Sequence, residues 1–248
     1  MTELPARKVL VVGAGRGLGR GIACAFAESG ADVVALARDG AALAALADTH
    51  PAIRTHVADA SDAATARHVL DEYQPYTVIV VAGATPEMRE LTQHSWETFS
   101  VNWDADVKIA FTWAQAALLQ PMPRGSRVVI VSSGAALNGS PLSGGYAGSK
   151  ATQRFIAQYA QRESERSGLG IIFTTVMPRM TPAGDVGRAG IRAYACEAGL
   201  TEDAFIEQLG PVITPEIAGQ AMIDLVSLGR GDYAAGYVLT GAGLAPPT

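Results

Sequence analysis

The sequence predicts an α/β fold: a doubly wound parallel sheet with helices on both faces. Three observations carry this: short apolar runs rich in Val and Ile, longer amphipathic runs between them, and a glycine-rich turn directly after the first apolar run. Strand followed by helix, repeated, requires right-handed crossovers and a parallel sheet. With 48% apolar residues in 248, the chain can bury such a sheet on both sides, and the low aromatic content of 6% suits close helix packing. Residues 1–248 are expected to form a single unit, since α/β domains often reach this length.

Taken in order, residues 9–12, 33–37, 53–57, 77–82, 128–132 and 171–176 read as strands, short and apolar on both faces. Helical periodicity fills the intervals at 17–29, 39–49, 62–74, 96–119 and 146–167, with Asp39 and Asp62 as N-cap candidates. Two segments break the rhythm. Residues 178–215 form a long excursion with helical patterns around 191–198 and 202–209, placed where a substrate lid would follow a strand's C-terminal end. The tail offers one last strand at 236–239.

Composition narrows the function classes. A formal charge of −5 without a basic tract gives no footprint for nucleic acid. Two cysteines and four scattered histidines give neither a disulfide framework nor metal-ligand spacing, so no metal is expected. The first five residues lack the basic then apolar run of a secretion signal, and no stretch nears the roughly 20 apolar residues of a membrane span. The expected address is the cytoplasm, with no membrane partner.

The turn Gly13-Ala14-Gly15-Arg16-Gly17-Leu18-Gly19 joins the first strand to the first helix. Glycines there allow backbone N–H groups to approach a pyrophosphate, and the helix N-terminus adds a partial positive charge. With a strand before it and a helix after it, the turn reads as the dinucleotide site of a Rossmann-type sheet. At the end of the second strand stands Arg38-Asp39. Arg38, aided by Arg16, would pair with the 2′-phosphate of NADP(H), the favoured cofactor; alternatively Asp39 takes the ribose of NAD(H), or merely caps the next helix.

Tyr146 and Lys150 stand four residues apart in a helical pattern, hence on one face. An ammonium beside a phenol favours the phenolate, so such a tyrosine can trade a proton with a carbonyl or alcohol oxygen near neutral pH. Ser133 lies thirteen residues before Tyr146, at a strand's end, with its hydroxyl placed to bond the same oxygen.

In this order and spacing, the glycine turn, Asp59, Asn102 and the Ser133-Tyr146-Lys150 set resemble the short-chain dehydrogenase/reductase family in its compact single-domain form, from Val9 to about Leu244. The resemblance implies that Gly13, Gly17 and Gly19 hold the pyrophosphate and that Asp59 bonds the adenine amino group. It implies that Asn102 holds a water in a proton relay behind the lysine, that Ser133 orients the substrate oxygen, and that Tyr146 is the general acid/base. Lys150 would bond the nicotinamide ribose. A hydride would move between the nicotinamide and a small-molecule carbonyl or alcohol. The resemblance also implies a homodimer or homotetramer built on the helices at 96–119 and 146–167.

Three positions depart from the family pattern. Val12 replaces a threonine before the first glycine, and Val80-Val81 replace two asparagines ahead of Ala82-Gly83, a loop implied to lie under the cofactor. Arg179 follows Pro178 where a glycine is usual along the nicotinamide, and Thr181 becomes a shifted match for the threonine that contacts the carboxamide. Arg179 either enters the pocket to meet an anionic or polar group or turns to solvent. Two other functions compete with carbonyl reduction: an NADP(H)-binding regulator of this fold without turnover, and an enzyme acting on carrier-bound acyl chains.

Overall fold

The computed structural model describes residues 8–120 and 122–247; the first five residues, read above for a leader, lie outside them. Among these residues eight strands form one sheet: β1 (Lys8–Val12), β2 (Asp32–Ala37), β3 (Arg54–Val57), β4 (Thr77–Val80), β5 (Arg127–Val131), β6 (Ile172–Pro178), β7 (Gly236–Thr240) and β8 (Gly243–Ala245). Their order is β3-β2-β1-β4-β5-β6-β7-β8, parallel throughout except for β8, which closes an antiparallel hairpin on β7. The strand order reverses between β1 and β4, so a crevice opens at the carboxyl ends of these two strands.

Ten α-helices accompany the described strands: α1 (Gly17–Glu28), α2 (Gly40–Thr49), α3 (Ala63–Tyr73), α4 (Trp96–Asn102), α5 (Lys108–Leu119), α6 (Ala135–Asn138), α7 (Tyr146–Arg166), α8 (Asp185–Glu197), α9 (Glu202–Leu209) and α10 (Pro215–Ser227). On one face Ile22 and Phe26 of α1, Leu43 and Leu46 of α2, and Met222 and Leu225 of α10 cover Val9, Val11 and Val129 of the sheet. On the other, Val69 and Leu70 of α3, Trp113 of α5 and Ala160 of α7 cover Leu10, Val34, Val78 and Val128. Alternate residues of β1 thus enter opposite cores, which is why the central strands read as unbroken apolar runs.

Caps fall where the sequence places them. Asp39 accepts from Ala42 N at 3.0 Å and Asp62 from Ala64 N and Thr65 N, starting α2 and α3. The expected helix at 96–119 is helical throughout, but a π-helical turn at Trp103–Val107 divides it into α4 and α5. Helix α10 was not expected, although Thr214 caps it by accepting from Ile217 N and Pro215 opens its first turn. It crosses α1 so closely that a Cβ on Gly21 would come within 2.4 Å of Pro215 Cβ.

One expectation needs correction. The third strand was expected to be apolar on both faces, yet β3 is the sheet edge, pairs only with β2, and leaves Val57 61% exposed. Its Arg54 instead forms an ion pair across the edge to Asp32. None of the described helices is long and apolar enough to cross a membrane.

Candidate active site

The glycine turn forms at the end of β1 because only glycine fits there. Gly13 has a φ of +97°, and a Cβ on it would come within 2.5 Å of Ala82 N. A Cβ on Gly19 would come within 2.1 Å of Gly13 O, so the close contact of turn and helix excludes any side chain. Arg16, at the N-cap of α1, makes no side-chain cap bond, and no acidic residue occupies the first turn. The leading N–H groups of a helix 12 residues long are thus left for an anion, and the turn fits a pyrophosphate. Gly15 and Leu18 lie in the same turn, half-buried.

The neighbouring strand ends complete the crevice. Val81 N and Ala82 N both donate to Val12 O, at 2.8 and 2.9 Å, which brings the loop through Gly83 beside the glycine turn. At the end of β2, Arg38 is exposed, while Asp39 is committed to its cap. Beyond β3, Asp59 is exposed and accepts from Ser61 N at 2.8 Å; that hydrogen bond, with a smaller pull from Arg38, holds its carboxyl below the usual carboxylate range. Arg16 reaches across to Asp185 of α8 at 2.5 Å, tying the excursion to the glycine turn.

The other wall is built on β5 and α7. Ser132 Oγ donates to Lys150 O at 2.7 Å and fixes α7 against the end of β5. Ser133 Oγ accepts from Ala135 N at 3.2 Å, which leaves its own proton free to donate. Tyr146 opens α7, half-buried, after Gly145 N docks on Phe99 O of α4 at 3.1 Å. Lys150 Nζ lies 5.5 Å from the centroid of the Tyr146 ring, so the two side chains share one face, as their spacing requires.

Behind Lys150 stands a residue that spacing alone did not single out. Asp106 Oδ1 is 2.8 Å from Lys150 Nζ, and the two side chains are 1% and 6% exposed. Burial pulls the Lys150 ammonium down; Asp106, helped by Tyr146, outweighs that and holds it above the usual lysine range. The expected water-holding residue, Asn102, is buried and donates from Nδ2 to Ala84 O at 2.8 Å and to Asp106 Oδ2 at 2.9 Å. Ala84 N donates to the same oxygen at 3.1 Å. Asp106 lies within the π-helical turn, and Gln153 Nε2 of α7 donates to its backbone carbonyl at 2.9 Å. A sequence signal existed: Asp106 follows Asn102 by four residues, an acid on the inward face of an otherwise apolar stretch.

At the end of β6, Pro178 is buried and its carbonyl accepts from Gly134 N at 2.8 Å. Arg179 is exposed, its backbone N–H donating to Leu239 O at 2.9 Å. Thr181 is buried, with its hydroxyl donating to Ile213 O at 2.5 Å and accepting from Ala183 N at 3.1 Å. That hydroxyl therefore braces the base of the excursion, with its proton committed to Ile213 and one lone pair left to accept.

Comparison with known proteins agrees with the architecture. The family model described as short chain dehydrogenase matches residues 7–199. A 2-keto-3-deoxy-L-fuconate dehydrogenase of Xanthomonas campestris is 36% identical over 108 residues, 42% of this chain and 36% of that protein. A D-erythrulose reductase of Gallus gallus is 27% identical over 71% of this chain and 66% of its own length. An L-xylulose reductase of Mesocricetus auratus is 26% identical over 68% and 64%. The matched stretch thus spans between about a third and two thirds of these relatives. The crystal structure of a short chain dehydrogenase from Mycobacterium avium superposes with a TM-score of 0.76 at 20% identity, covering 97% of this chain and 84% of that one, a likeness of fold. The chain belongs to the short-chain dehydrogenase/reductase family of oxidoreductases.

Proposed function

We propose that this chain is an NADP(H)-dependent carbonyl reductase in which Tyr146 is the general acid/base. The observation that carries the reading is the Tyr146–Lys150 pair on one face of α7, with Lys150 Nζ 5.5 Å from the phenol ring at the carboxyl edge of the sheet. The glycine turn would take the pyrophosphate, Arg38 the 2′-phosphate, and Asp59 the adenine. When bound, the cofactor supplies a hydride at its nicotinamide ring. The chain's own residues do the rest. Ser133, with a proton free to donate, orients the substrate oxygen, and Tyr146 delivers a proton to it. Lys150 keeps two ammonium donors beyond the one facing Asp106, enough to reach a ribose hydroxyl.

The substrate class follows from the relatives: reductases named for L-xylulose and D-erythrulose favour a small polyhydroxylated ketone as the first candidate. The segment at about 179–214, with α8 and α9, would act as lid over it. Helices α5 and α7 leave Phe111, Phe155 and Tyr159 more than half exposed, which supports self-association across an isologous face. A cytoplasmic address accords with this reading. Mixing the protein with NADPH or NADH and a panel of sugar ketones, aldehydes and quinones tests it. Consumption of NADPH with a hydroxyketone is expected, and no turnover on any member with either cofactor would sink the proposal.

A further inference from the structure

Resting on that reading, we propose that Asp106 is a positioning residue: its carboxylate takes the place behind Lys150 that the resemblance gives to a relay water, and fixes the ammonium beneath Tyr146. The carboxylate is itself immobilised from three sides. Asn102 Nδ2 and Ala84 N donate to Oδ2, at 2.9 and 3.1 Å, while Oδ1 faces Lys150 Nζ at 2.8 Å. The loop it meets leaves space for it: a Cβ on Gly83 would come within 2.3 Å of Oδ1, so Gly83 is the residue that makes room for the acid. Gln153, three residues beyond Lys150, holds the Asp106 backbone carbonyl at 2.9 Å and locks the π-helical turn onto α7.

The chemistry follows from charge. A lysine sealed in protein tends to lose its proton, and a neutral amine does nothing for a phenol. With a carboxylate against it, the amine stays an ammonium, and a cation one helical turn from the phenol favours its ionised form. The titratable groups acting on Lys150 are Asp106, from the π-helical turn, and Tyr146, from its own helix. The groups that hydrogen-bond to the pair's surroundings are neutral: Ser132, just past β5, on the Lys150 carbonyl, and Asn102 of α4 and Gln153 of α7 on Asp106. Asp106 thereby does through Lys150 what Lys150 does to Tyr146.

Two readouts test this. The chain has three lysines, Lys8, Lys108 and Lys150, so side-chain nitrogen NMR of lysine-labelled protein can follow each Nζ separately. In the wild type Lys150 is expected to keep its proton above the usual lysine range. In Asp106→Asn it is expected to lose it at least one pH unit earlier than in the wild type, with Asp106→Glu restoring part of the difference. The alkaline limb of carbonyl reduction should move upward by at least one unit in Asp106→Asn, and alcohol oxidation at neutral pH should fall at least tenfold. A wild-type Lys150 that loses its proton within or below the usual lysine range would overturn the proposal even if the variant fails to fold. A rate lost equally at every pH, with the limb unmoved, would reduce Asp106 to a structural part. Absence of any wild-type turnover would defeat only the assignment as a reductase, because the NMR titration needs no substrate.

Discussion

Two ion pairs flank the crevice, and they differ in everything but charge. Arg16 and Asp185 meet at 2.5 Å with side chains 74% and 36% exposed; Lys150 and Asp106 meet at 2.8 Å with 6% and 1%. The first lies in water, where screening and side-chain entropy leave a pair worth less than about 1 kcal/mol. The second has given up its hydration, so removing one partner strands a charge in the protein interior. The exposed pair can open and close over the glycine turn at little cost, while the buried pair must persist. The exposed pair stands by the glycine turn and the buried pair beneath Tyr146.

The largest effect is expected at the proton itself: Tyr146→Phe should lower kcat about a hundred- to ten-thousand-fold while leaving NADPH affinity within a few-fold, read by steady-state kinetics and fluorescence titration. Asp106→Ala should destabilise the fold by about 3–5 kcal/mol in urea denaturation, and a loss below about 1 kcal/mol would erase the distinction between the two pairs. Arg38→Asp should weaken NADPH at least tenfold and NADH little; equal effects would refute the phosphate role.

A pH series sharpens the buried side. Lys150 is held above the usual lysine range, so the stability it adds is fully present below the unfolded lysine value of about 10.4 and fades only as pH rises through the folded one. The wild type's stability should therefore show no dependence on this group at neutral pH and fall only under strong alkali, read by urea denaturation across a pH series. The smallest effect is expected at the exposed pair: Asp185→Ala should cost less than about 1 kcal/mol, and added salt should abolish the difference.

Much of this was legible in the chain. Short unbroken apolar runs against the 3.6 period separated strands from helices, the caps Asp39 and Asp62 fell in place, and the glycine turn and the Tyr146–Lys150 spacing pointed to one crevice. What escaped did so for physical reasons. Helix α10 meets α1 at Gly21 and Gly219, where a Cβ on either would come within 2.4 Å of the other helix, a contact between residues distant in the chain. The outermost position of β3 depends on which strands pair, and local patterning does not carry that information. The pairing of Asp106 with Lys150 joins the π-helical turn to α7, and local spacing does not carry that contact.

By itself the sequence determined the alternation of strands and helices, the tight turn at the first strand's end and the shared helical face of phenol and amine, because each is set by contacts within a few residues. The tertiary structure alone decided that Lys150 has a carboxylate behind it, that Asn102 serves that carboxylate, and that Arg16 is tied to the excursion. Those pairings join residues distant in the chain, or hinge on one irregular helical turn, and a charge finds its partner only after the elements have packed.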